Sequence, residues 1–239
     1  MNAIVFTEGA TLKMFFQLIN ELESHIDLEN IGIHVCDSRF FHKFKEEFPQ
    51  IESGKYTLYK EWEIIRESKN MKPDIQRLRA YEEEIGAPFL WDALLCERRI
   101  YLGKHSTLEQ DYRKRYSHDR MLSILQLCIE RTRALFDEVR PDFVLSFISV
   151  TISGYIGYLL AKEKKIKYLN LRPTRIRNYI HAGDTVTWPS TVASDTYNKF
   201  IKTGLTPELE QKARECLSDF RDRNLKYEGA PFFSSKSNK

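Results

Sequence analysis

The sequence predicts an α/β fold: a Rossmann-like three-layer domain with a mainly parallel sheet, helices on both faces and a helical insert. Three observations carry that prediction. A strand, tight turn, helix and strand open the chain over 3–35, and a helix–strand–helix–strand pattern recurs over 117–171. Between them, 61–116 is charged and aromatic with weaker periodicity, which reads as several inserted helices. Units of the βαβ kind imply parallel strands covered by helices. The chain of 239 residues holds one such domain over 1–228, with the insert at about 61–116 and a polar, flexible tail over 229–239.

The elements follow in order. Residues 3–6 are a short apolar strand, and Thr7-Glu8-Gly9 is its turn. Leu12, Phe15, Phe16, Ile19 and Leu22 then recur at helical spacing. Residues 30–35 read as a buried strand, 40–48 as a short helix and 56–59 as a third strand. The insert either shapes a cleft or only covers the sheet. Ser117 is placed to cap a long helix, with Asp119 in its first turn, and Pro141 ends it. DFVLSF, 142–147, is a buried strand. Ile152, Tyr155, Ile156, Leu159 and Leu160 give the next helix a core-facing stripe, with Gly154 and Gly157 off that stripe. KYLNL, 167–171, is the following strand. Thr206 and Pro207 start a last helix, whose Leu209, Ala213, Cys216, Leu217 and Phe220 are expected to be buried.

Composition excludes several classes. With 42% hydrophobic and 30% charged residues, most of the chain is not disordered. A net charge of +3 gives no general affinity for nucleic acid. Cys36, Cys96, Cys128 and Cys216 form no CxxC pair, so they read as reduced thiols of a cytoplasmic protein, and no metal site is expected. The N-terminus lacks the basic and apolar regions of a signal peptide, and no stretch approaches the ~18 apolar residues of a membrane span.

Ligands of open parallel sheets bind beyond the carboxyl ends of the strands. Three segments qualify by position. Thr7, Glu8 and Gly9 follow the first strand; they offer backbone N–H groups to an anion and a carboxylate as general base, or they form an ordinary turn. No GxGxxG or Walker motif is present, so no cofactor is assigned. Ser149 and Thr151 follow PDFVL, either capping the next helix or binding a sugar or phosphate. Arg172, Arg175 and Arg177, with Tyr179 and His181, follow KYLNL; in an extended segment the last four share one face. Arginine forks suit phosphate or carboxylate, and His181 suits proton transfer, while salt bridges are the competing account.

The order of these elements, with GAPFLWDALLCERRIYLG in the insert, PDFVLSF, and IKYLNLRPTRIRNYI, resembles the N-terminal half of GT-B-type glycosyltransferases and related capsule and surface-polysaccharide biosynthesis proteins. The resemblance covers about 3–181. It implies two Rossmann-like halves, the N-terminal one receiving the saccharide acceptor and the other gripping the nucleotide sugar. As read, this chain holds one half, so a donor-binding half or a partner subunit would complete the site, and the chain alone would be inactive. Peripheral contact with the inner face of the membrane fits such a protein. Two other readings stay open: a non-catalytic nucleotide or anion-binding module acting through a partner, and a standalone nucleotide-sugar-modifying enzyme.

Overall fold

The computed structural model describes residues 1–9, 11–87, 89–97, 100, 115–147, 150–174, 179–186 and 190–222. Their centre is a six-stranded sheet in the order β3-β2-β1-β4-β5-β6. The strands are β1 (Ala3–Phe6), β2 (Ile31–Val35), β3 (Tyr56–Lys60), β4 (Phe143–Ser146), β5 (Lys167–Pro173) and β6 (Ile180–Gly183). The first five are parallel, and β6 returns antiparallel along β5. Helices flank both faces, so the three-layer α/β architecture is as the sequence predicts. The strand order reverses direction between β1 and β4, which makes the gap beyond their carboxyl ends the topological switch point.

Side chains alternate across β1 and sort the core into two layers. Ala3 and Val5 pack with α1 (Thr11–Leu22) and α2 (Ser38–Glu47), against Phe15, Phe16 and Phe41. Ile4 and Phe6 face the opposite layer, built from α6 (His118–Val139) and α7 (Ile152–Glu163). The inserted helices α3 (Glu61–Glu67), α4 (Ile75–Ile85) and α5 (Trp91–Cys96) join that same layer through Ile64, Leu78, Tyr81 and Leu94. Within the described residues the insert therefore thickens one face of the sheet.

Local chemistry sets the ends of these helices. The Ser117 hydroxyl accepts from the Arg120 backbone N–H at 3.3 Å and starts α6. That helix ends at Arg140, which takes the left-handed conformation (φ 51°) immediately before Pro141. Asp37 caps α2 by accepting from the N–H groups of Arg39 and Phe40.

Three expectations need correction. The buried side of α7 is broader than the predicted stripe: Ser153, Gly154, Gly157 and Ala161 are buried too. Gly157 lies under the sheet, and a Cβ there would stand 2.3 Å from the Phe6 ring, so only glycine lets α7 approach this closely. Arg172 belongs to the strand, because antiparallel pairing with β6 carries β5 on to Pro173. The last helix, α9 (Pro207–Asp222), does not bury its stripe: Leu209 and Leu217 are exposed. Lys212–Glu208 and Arg214–Glu210 pairs, one turn apart, run along its exposed surface. Among the described residues no helix is long and apolar enough to cross a membrane.

Candidate active-site crevice

The switch point brings two of the three sequence-predicted segments together. Gly9 adopts φ +49°, a conformation that favours glycine, and this turns the chain from β1 into α1. The turn is braced on both sides. The buried Thr7 hydroxyl donates to the His34 carbonyl at 2.7 Å, and the Gly9 N–H donates to the Cys36 thiol at 3.0 Å. The Thr11 hydroxyl accepts from the Glu8 N–H at 2.8 Å. Thr7 and Gly9 thus shape the loop, and Glu8 projects from it.

Glu8 meets the second segment across the crevice. Its Oε1 accepts from the Val150 backbone N–H at 3.2 Å, just ahead of α7. Thr151 caps that helix, its hydroxyl accepting from the Gly154 N–H at 3.1 Å. A carboxylate and a hydroxyl of the chain itself therefore occupy backbone donors that a phosphate uses in a nucleotide-binding Rossmann site. The helix dipole favours the negative charge of Glu8 at this point.

The third segment is used differently. Arg172 lies at the carboxyl end of β5, but its Nε donates to the Asn170 side chain and its guanidinium to the carbonyls of Thr185 and Val186. These bonds tie the stretch after β6 back onto the sheet. His181 pairs with Arg172 across the β5–β6 ladder, and Tyr179 is exposed at the start of that return. Ser149, Arg175 and Arg177 lie outside the described residues.

Beneath the crevice sits a buried polar group that sequence reasoning missed. His34 Nε2 and Glu61 Oε2 are 3.0 Å apart, with side chains 0% and 4% exposed. The His34 ring lies between those of Phe6 and Tyr59, at centroid distances of 5.3 and 5.0 Å. The Tyr59 hydroxyl shares a 3.1 Å hydrogen bond with Ser153, which in turn reaches Cys128. Burial drives the Tyr59 hydroxyl and the Cys128 thiol well above their ordinary pKa values, so both stay protonated. Burial also pushes the Cys96 thiol up to about 12, with Glu97 and Glu8 adding to the effect. Glu97 is itself buried, so carboxylates gather below the crevice. A signal was present in IGIHV, where a lone histidine in a buried parallel strand requires a polar partner. No cluster of metal-ligating side chains is found among the described residues.

The chain matches no protein-family model, no curated protein and no solved structure. The class that fold and crevice define is therefore a Rossmann-like α/β domain with a carboxylate at its switch point.

Proposed function

We propose that the chain is the acceptor-side half of a GT-B-type glycosyltransferase in surface or capsular polysaccharide biosynthesis, with the nucleotide sugar held by a second half or partner subunit. The observation that carries this reading is the Glu8 carboxylate at the N-terminus of α7. It fills the place of a phosphate, so the crevice favours a neutral, hydroxyl-bearing ligand over a nucleotide diphosphate. In the proposed reaction the acceptor oxygen bonds to the anomeric carbon and the nucleotide diphosphate departs with the electrons of the bond it leaves. Glu8 takes the proton of the acceptor hydroxyl. Thr7 and Gly9 shape the loop that carries Glu8, and Thr151 caps the helix next to Val150, whose N–H donates to Glu8. Arg172 and His181 would steady the rim facing the donor, and Tyr179 is exposed for sugar contact. No metal or cofactor enters this scheme.

Calorimetry with neutral oligosaccharides and with uridine diphosphate tests it. A hydrogen bond to a charged group contributes about 1.5–3 kcal/mol. Glu8→Gln is therefore expected to weaken saccharide binding roughly tenfold or more, since 1.4 kcal/mol is a factor of ten. Tighter binding of the diphosphate, untouched by the substitution, would make the crevice a nucleotide site instead.

A further inference from the structure

A second hollow lies at the opposite end of the sheet from Glu8. It opens between the end of α7, the first residues of β5 and the stretch that leads from β6 into α8 (Thr191–Thr203). Its volume is about 570 Å³, within the range of small-molecule sites. The floor is apolar. Tyr158 and Tyr168 meet edge to face there at 5.0 Å, and Val192, which is 60% exposed, forms one wall.

The rim is cationic. Lys162, Lys165 and Lys167 surround the hollow, and among the described residues none of their ammonium groups has a hydrogen bond or an ion pair. Their neighbour Lys164 differs, reaching Asp137 at 3.9 Å. The carbonyls at the end of α7 do not explain the three charges. Those of Leu160, Ala161 and Lys162 already accept from the backbone N–H groups of Lys164, Ile166 and Lys165. The carboxylate in the lining, Asp184, is committed elsewhere: it accepts from the Thr191 hydroxyl and, at 3.1 Å, from the Thr191 N–H.

Apolar floor and cationic rim together specify one ligand chemistry. We infer that this groove binds an amphipathic phosphate monoester, with its apolar body on the two tyrosines and its head group among the three lysines. A phosphate monoester carries about −1.5 to −2 charges at neutral pH, which suits several flexible ammonium groups better than a carboxylate does. The groove lies away from the crevice, so this site stands or falls independently of the glycosyltransferase reading.

Titration of the full chain with decyl phosphate below its micellar concentration tests the proposal. Inorganic phosphate, decanol and phosphatidylglycerol vesicles are the comparison arms. Decyl phosphate is expected to bind at least tenfold more tightly than inorganic phosphate or decanol, and to weaken as salt is raised. The triple variant Lys162→Gln, Lys165→Gln, Lys167→Gln should lose tenfold or more in affinity. Val192→Asp, an exposed change away from the lysines, should lose a similar factor by charging the apolar wall. Equal binding of inorganic phosphate, unchanged affinity in both variants, or binding to vesicles alone would overturn the assignment.

Discussion

A single methyl group probes how closely the sheet and α7 are fitted. Alanine is a better helix former than glycine by up to ~1 kcal/mol, so on propensity alone Gly157→Ala should stabilise the chain. Packing opposes it, because the new Cβ would stand 2.3 Å from a Phe6 ring that is 1% exposed, so the core around that ring must shift. Overpacking costs about 1–3 kcal/mol, so a net loss of stability is expected, read as a lower urea midpoint. Cys96 makes a second residue-scale claim. Its thiol keeps its proton to about 12 in the native chain, against an ordinary value of 9.0. The native state therefore holds a proton that the unfolded state releases. Stability from this group is complete below pH 9 and declines as pH rises from there toward 12. Urea midpoints at pH 8 and pH 10 should show that decline, and Cys96→Ala should reduce it. An identical slope in the variant would mean that Cys96 is not the group responsible.

At the scale of elements, α9 separates pattern from partner. Its Leu209 and Leu217 recur at helical spacing as a buried stripe would, yet Leu217 is 54% exposed. Leu217→Ser is therefore expected to change stability by no more than about 0.5 kcal/mol, measured by urea unfolding. A loss of 2 kcal/mol or more would show that the stripe is covered. The same contrast explains what could be read in advance. The strands β1 to β5 and helices α6 and α7 were legible because apolar periodicity and end signals such as Ser117 and Pro141 agree there. The extension of β5 through Arg172 was not, because it depends on pairing with β6, a partner that no local pattern names. The position of Glu8 beyond the carboxyl end of β1 was legible from its place after the first apolar run. The His34–Glu61 pair was not, since 27 residues separate its members and only the β2–β3 register brings them together.

For the molecule as a whole, the central claim is that the crevice between β1 and β4 receives a hydroxyl-bearing acceptor at Glu8. The strand order places the crevice, and the bond from Val150 to Glu8 sets a carboxylate beside it. The most direct measurement is an amide-resolved NMR titration of the full chain, first with neutral oligosaccharides and then with uridine diphosphate. Saccharide is expected to shift the amide signals of Gly9, Val150 and Gly154, with those shifts reduced in Glu8→Gln and the diphosphate leaving them in place. Diphosphate moving those three signals while saccharide does not would contradict it.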